Sequence, residues 1–565
     1  MADLNQEMLC REMSEVREQT WISPQVLLVF AAWLFLCWLH WDNNGLWYGD
    51  APRHAANGLF WKDFLLSLSL DPKDYALSYY ARYPVIAPTS YPPVFYLLEA
   101  IFFGAFVPSP YIAKGLVLGF ALMAALYTSA WCRRWISGDA GWAGALLLLL
   151  PGVVLWSHAI MLNIPALALS IAALYHVRRW LESPPASPMW RQLYIGAALS
   201  VLAILTYMMS GVLVFVILAW IIAKRRWDLL WNRRTLIVVL LSAIALLPWS
   251  IVVVKWEMTR VGWAVRNSHD TLRVQNWHWQ YYFRRLPELF SPHLLLIAAF
   301  GIISGVISKR WRHETIILLI WVCVCFVVFT YVGAREGRYI LLLSAPVVCF
   351  CIIALLCATH WLGKLMRLQH QLGRLITVAA ILMLFASQAW LASRVPIMSI
   401  KGIKEVVEFF EKVAPDEPIF YCGKHYANFT FQVQAGDPEY HRRVVLSRKL
   451  LYAEGSWNQT HEFISSPQDA VEVLQKQGGC RWLAIMRGAD STRIKASQHL
   501  REAVKGPQFE LVKSFQIQKT QTTNMEDNII DVYRFLVPIE QVDEVDMPLF
   551  SLGEGARYRV KPIQR

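Results

Sequence analysis

The sequence predicts a polytopic α-helical membrane protein, with about eleven spans plus interfacial helices, that ends in a soluble α/β domain. Three observations predict it. Of 565 residues, 56% are hydrophobic and only 17% are charged, and a mean hydropathy of +0.36 is too high for a chain that is water-soluble throughout. The apolar residues lie in runs of roughly 16–22, the length of a bilayer crossing. After Arg394 the runs stop.

Residues 1–22 carry charges of both signs and form a cytoplasmic N-terminal segment. No small-residue cleavage site follows, so the next apolar run stays as the first span. Spans are expected at 23–41, 111–131, 140–157, 164–180, 194–209, 211–223, 235–254, 292–308, 315–332, 339–360 and 375–393, which makes residues 23–395 the transmembrane domain. Basic pairs close many of these runs, among them Arg133-Arg134, Arg178-Arg179, Arg233-Arg234 and Lys309-Arg310. The net charge of +13 therefore reads as membrane topology, with these clusters cytoplasmic, and not as a nucleic-acid surface. Eleven spans put the C-terminal tail outside. The short apolar stretch 92–107, opened by Pro92-Pro93 and carrying Glu99, would break this parity if it crossed, so it is expected to be interfacial or re-entrant.

The exterior face then holds a long loop at 42–91, short connections at 158–163 and 333–338, and a loop at 255–291. That last loop has a basic excess on the face where positive charge is scarce. Either it binds an anion or the topology is locally different. Its Trp256, Trp263, Trp277, Trp279, Tyr281 and Tyr282 suit an aromatic belt or stacking on a sugar.

Of ten cysteines, seven lie in or beside apolar runs as packing residues. Cys422 and Cys480 leave one disulfide open. Residues 396–565 have α/β periodicity: helical at 403–413 and 470–477, strand-like at 418–422, 481–486, 509–515 and 529–535. Asn428-Phe429-Thr430 and Asn458-Gln459-Thr460 fit the N-glycosylation sequon.

The chemistry has to come from the exterior loops. The first contains Trp47-Tyr48-Gly49-Asp50-Ala51-Pro52-Arg53-His54, in which Pro52 can open an interfacial helix with Asp50 near its N-terminal end. A carboxylate there is held charged by the helix dipole. That suits an N-cap, a metal ligand or a base that accepts a proton at neutral pH, and the residues alone leave these open. On position, His158 and Glu336 could assist proton transfer, and Glu99 is a further candidate because a carboxyl facing lipid is costly. Arg335 and Arg338 stand at the exterior end of a late span, where an arginine can snorkel to the headgroups.

Further strings follow in order: Tyr91-Pro92-Pro93, then Met161-Leu162-Asn163-Ile164-Pro165, then Gly337-Arg338-Tyr339 opening a late span. Over residues 22–395 the set resembles the GT-C glycosyltransferase superfamily, in particular its protein mannosyltransferase and aminoarabinose transferase branch with the bacterial membrane enzymes. The resemblance implies a hexosyl or pentosyl transferase of the cytoplasmic (inner) membrane. Such an enzyme takes a sugar from a polyprenyl-phosphate carrier and passes it, with inversion, to an acceptor glycan, lipid or protein outside the cytoplasm. An isoprenoid tail is soluble only in the bilayer, so the fold must bring a polar site to the interface. The resemblance further implies Asp50 as the acid–base residue, Arg53, His54, Tyr91, Arg335, Arg338 and Tyr339 on the donor side, and Asn163 at the second-loop position.

Three residues depart from that pattern: Ala51 and Asn163 stand where the family often has acids, and Tyr91 where it often has lysine. A divalent cation (Mg or Mn) with Asp50 as ligand is weakened, because hard cations prefer carboxylate oxygens. The rival readings are a transporter or flippase of a lipid-linked or polar solute, which should show repeated halves that this sequence lacks, and a catalytically inactive relative.

Overall fold

The computed structural model of the protein describes residues 24–257, 280–331, 335–365, 370–454, 460–488, 494–519, 528–548 and 557–564. The N-terminal segment, most of the 255–291 loop and Asn458 lie outside them. The protein is a polytopic helical membrane protein with a C-terminal α/β domain.

The predicted spans overlap helical segments among the described residues. Among the described residues five helices are long and apolar enough to cross a membrane alone: Pro110–Trp135, Arg233–Glu257, Arg312–Tyr331, Gly337–Leu362 and Leu375–Arg394. Pro24–Trp38, Trp190–Ile204 and Met208–Ala223 are shorter apolar helices. The continuous helix expected at 140–157 is instead two pieces, Gly138–Leu148 and Pro151–Ser157, bent by 57°. Pro151 is the physical reason, since it lacks the N–H that would continue the ladder and its ring crowds the preceding turn. The helix at Pro292–Ile307 is likewise preceded by Gln280–Phe290 at 110°, so the end of the 255–291 loop is helical. The 92–107 stretch forms the short helix Val94–Ala105.

Packing in the apolar half uses small residues at close approaches. The Pro110–Trp135 helix begins on Ser109, whose hydroxyl accepts from Ile112 N, and turns Ala113, Ala121, Ala124 and Ala125 inward. A Cβ on Gly144 would fall 2.0 Å from Ala125 O, and one on Gly301 would fall 1.9 Å from Phe350 O. By contrast, Leu236, Leu240, Leu247 and Ile251 of the Arg233–Val252 helix are exposed, a surface for lipid.

Arg178, one of the basic residues at a span end, is held in the protein interior. It is buried, with its Nη1 2.7 Å from Glu314 Oε1, its Nη2 paired with Glu314 Oε2, and its Nε 3.0 Å from Glu182 Oε1. Lys224 reaches the same Glu182 oxygen at 3.0 Å, Trp131 Nε1 donates to Glu314, and the guanidinium lies 4.1 Å from the Trp135 ring centroid. This clasp ties together the helices Pro110–Trp135, Asn163–Leu181, Val212–Ala223 and Arg312–Tyr331.

The tail folds around a five-stranded sheet of β1 (Ile419–Cys422), β2 (Val444–Leu446), β3 (Trp482–Met486), β4 (Phe509–Gln516) and β5 (Ile529–Phe535), in the order β2-β1-β3-β5-β4. β1 runs parallel to β2 and β3, whereas β5 runs antiparallel to β3 and β4. The all-buried β1 and β3 are the apolar runs expected of parallel strands covered on both faces. The helix Ile403–Val413 packs with Val406, Val407 and Phe410 inward. Cys422 and Cys480 are both buried in the core of this domain and no disulfide joins them. Asn428 is 2% exposed and Thr430 is fully buried, which removes that sequon as a surface site.

The tail seats on the 42–91 loop, whose helices are Ala51–Ser67 and Pro72–Arg82. Gln434 Nε2 donates to Ala56 O at 3.2 Å and to Tyr79 Oη at 2.8 Å, and Tyr83 Oη donates to Asp437 Oδ2 at 2.7 Å. Arg82 Nε donates to Ile563 O at 2.6 Å. The loop and the tail therefore lie on one side of the helical half.

Candidate active site

Asp50 occupies the N-cap position of the Ala51–Ser67 helix, with proline in its first turn, yet its side chain makes no capping hydrogen bond. It is directed into a cluster instead. Oδ1 lies 3.0 Å from Arg53 Nη1; Oδ2 lies 3.5 Å from Tyr91 Oη and 3.7 Å from Arg338 Nη2. Of the two carboxylate oxygens, Oδ2 therefore faces its neighbours at longer range.

Arg338 is 6% exposed, in the turn Gly337–Leu343 that opens a late span. Its guanidinium sits 4.9 Å from the Tyr48 ring centroid and 5.5 Å from that of Trp156. Nη2 pairs with Glu336 Oε1 at 3.3 Å, and Glu336 in turn accepts from Tyr48 Oη at 3.0 Å. Nε and Nη1 have no hydrogen-bond partner among the described residues. Two buried guanidinium donors left unmade are costly unless an anion completes them, and the planar fork suits a phosphate.

No family model and no curated protein sequence matches the chain. Solved structures do. ArnT from Cupriavidus metallidurans, bound to undecaprenyl phosphate, aligns at 15% identity over 90% of this chain and 97% of that one with a TM-score of 0.58. The oligosaccharyltransferase AglB from Archaeoglobus fulgidus, in complex with an inhibitory peptide and a dolichol-phosphate, aligns at 12% identity over 82% and 69% with a TM-score of 0.53. The arabinofuranosyltransferase AftD from Mycobacteria aligns at 12% identity over 93% and 41% with a TM-score of 0.51. The chain has the GT-C fold.

Within this GT-C fold the residues expected from sequence divide into those that meet Asp50 and those that do not. Arg53, Tyr91, Arg338 and, through Arg338, Glu336 belong to the cluster. Tyr339 packs against Tyr207 and Phe329 beside Arg338. Arg335 meets Tyr281, whose hydroxyl donates to its backbone carbonyl at 3.3 Å. Asn163 opens the Asn163–Leu181 helix and is buried.

Two of the expected residues are packed into the interior. His54 is 1% exposed, with its Nδ1 2.7 Å from Tyr96 Oη and its ring 4.8 Å from that of Tyr91. Burial pushes its imidazole down to about 3, so it packs against Tyr91 as a neutral ring. His158 is turned fully inward: Nδ1 lies 2.8 Å from Val154 O and Nε2 lies 2.5 Å from Leu39 O. Both ring nitrogens thus face backbone carbonyls, and the neutral ring can donate to one of them. Glu99 is buried against Gly58, and neither carboxyl oxygen has a hydrogen-bond partner among the described residues.

Sequence reasoning missed a contribution from the tail. Arg53 Nη2 donates to Tyr426 Oη at 3.1 Å, and Arg448 lies 4.2 Å from the Tyr426 ring centroid. No local pattern marks Tyr426; only the seating of the tail on the Ala51–Ser67 helix brings it there. The donor set does not fit Mg²⁺ or Mn²⁺, because a cation on Asp50 would meet Arg53 and Arg338, and Ala51 and Asn163 supply no second carboxylate. The described residues hold no group of three His, Cys, Asp or Glu side chains able to share an ion.

Proposed function

We propose that the protein is a glycosyltransferase that moves a sugar from a polyprenyl-phosphate carrier to an acceptor glycan, lipid or protein outside the cytoplasm, with inversion. The observation that carries the reading is the Asp50–Arg338 pair, in which a carboxylate sits 3.7 Å from a buried arginine with open donors. An anion site and a base at one spot are what transfer from a phosphate carrier needs. The binding of undecaprenyl phosphate by ArnT, which shares the fold, supports the same donor class.

Arg338 holds the carrier phosphate, and Glu336 with Tyr48 keeps the guanidinium oriented. The acceptor hydroxyl oxygen attacks the anomeric carbon from the face opposite the phosphate. The bond from that carbon to the phosphate oxygen breaks, its electron pair leaves with the phosphate, and Asp50 Oδ2 takes the hydroxyl proton. Arg53 holds Oδ1 and so aims Oδ2. The carrier tail lies along the apolar helices, and the tail domain stands on the exterior face of the cytoplasmic (inner) membrane.

The test is transfer in membranes supplied with polyprenyl-phosphate-linked sugar. Asp50→Asn is expected to lose transfer by a factor of about 10²–10⁴, the usual range for a general base, while its expression is unchanged. Full activity in that variant removes the base from this reading.

A further inference from the structure

The tail domain contains a cavity of about 170 Å³ lined by Tyr421, Lys424, Tyr426, Ser447, Arg448 and Tyr452. It opens at the carboxyl ends of two adjacent parallel strands, since Lys424 follows β1 (Ile419–Cys422) and Ser447 and Arg448 follow β2 (Val444–Leu446). In α/β sheets the crevice outside those ends is the usual ligand position. Its volume is well below the roughly 300–1,000 Å³ of drug-sized sites, which limits it to about one ring and its substituent. Among the described residues the lining includes two cations and three tyrosines and no acidic side chain.

The cavity also has a direct link to the reacting group. Tyr426 lines it and accepts from Arg53, which holds Asp50. A hydroxyl that accepts still has its own proton to donate, so Tyr426 can serve Arg53 on one side and a ligand on the other. Lys424 is exposed at the mouth and Arg448 is half-buried over the Tyr426 ring. Aromatic rings with two cations recognise a sugar ring that carries an anion, the cations pairing with the charge and the tyrosine faces covering the ring.

We infer that this cavity is an acceptor subsite for an anionic saccharide, a sugar unit bearing a phosphate or a carboxylate. The inference rests on the transferase reading above for the word acceptor, but the binding site itself can be measured without transfer.

The experiment titrates the full chain in lipid nanodiscs with glucose 6-phosphate, glucuronate, glucose and inorganic phosphate, with ligand-observed NMR and calorimetry as readouts. The two anionic sugars are expected to saturate one shared site, with glucose and inorganic phosphate at least tenfold weaker. Arg448→Ala, and separately the exposed Lys424→Ala, are expected to weaken binding of the charged sugars about tenfold each, whereas Asp50→Asn leaves it within twofold. Absence of saturable binding by both anionic sugars, or binding unmoved in both cation variants, overturns the inference. So does inorganic phosphate binding as tightly as the sugar phosphate. If Asp50→Asn is inactive and the cavity does not bind, the subsite fails alone. If Asp50→Asn is fully active while Arg448-dependent binding persists, the catalytic reading fails and the binding site stands.

Discussion

Arg53 joins the two halves of the protein through Tyr426, a residue 373 positions away: Nη2 donates to Tyr426 Oη at 3.1 Å while Nη1 lies 3.0 Å from Asp50 Oδ1. The tail is thereby part of the support of the candidate base. Tyr426→Phe keeps the ring under Arg448 and removes only the accepting oxygen. A hydrogen bond to a charged group is worth about 1.5–3 kcal/mol, and the low end is expressed here because Arg53 keeps Asp50, so kcat/KM for transfer is expected to fall roughly tenfold with only a small fall in Tm. An unaltered rate would show that Tyr426 does not steady Arg53.

The Arg178–Glu314 pair is expected to govern stability and not chemistry. Removing one partner of a buried ion pair costs about 3–5 kcal/mol because the other charge is stranded. Glu314→Ala should therefore lower the thermal unfolding temperature in detergent sharply. Arg178→Met combined with Glu314→Leu should recover most of that loss, as apolar replacement of both partners often does. Wild-type melting of the Glu314→Ala protein would contradict the clasp.

His54 sets a pH dependence whose sign follows from its burial. Its folded imidazole is pushed down to about 3, whereas an unfolded histidine titrates near ~6.5. Below ~6.5 the unfolded chain takes up a proton that the folded chain refuses. The stability tied to this group is therefore complete above pH ~6.5 and declines by about 1.4 kcal/mol per pH unit towards about 3. Melting at pH 7 and pH 5 should differ by less in His54→Gln than in the wild type. Equal losses in the two proteins would mean that His54 protonates freely in the fold.

Topology is tested by labelling. Leu70 is fully exposed in the 42–91 loop, and Ala186 is exposed in the connection that follows the Asn163–Leu181 helix. Leu70→Cys should react with a membrane-impermeant maleimide added to intact cells, and Ala186→Cys only after permeabilisation. The reverse pattern would put the tail in the cytoplasm.

Most of the helical half was legible in the sequence because a bilayer span is a local property, a run of apolar residues of sufficient length. The Ile403–Val413 helix and the strands at 419–422 and 529–535 were legible for the same reason, since their period and boundaries are set by neighbouring residues. Departures came where a single residue redirects the chain, as Pro151 does in bending the segment expected at 140–157. They also came where an expected surface residue turned inward. Arg178 reads as one of a basic pair at a span end, yet it is buried because Glu314, 136 positions away, offers it a bidentate partner.

By itself the sequence determined the apolar helical half and the α/β tail, since each follows from residue type and near neighbours, and a family resemblance in its motifs singled out Asp50 and Arg338 as candidates. The tertiary structure alone decided that Asp50 and Arg338 face each other, that His54 and His158 are occupied elsewhere, and that Tyr426 reaches Arg53. Those outcomes depend on which distant surfaces pack together. Side chains hundreds of residues apart meet only when burial of the Ala51–Ser67 helix against the tail fixes their relative positions, and no local pattern encodes that choice.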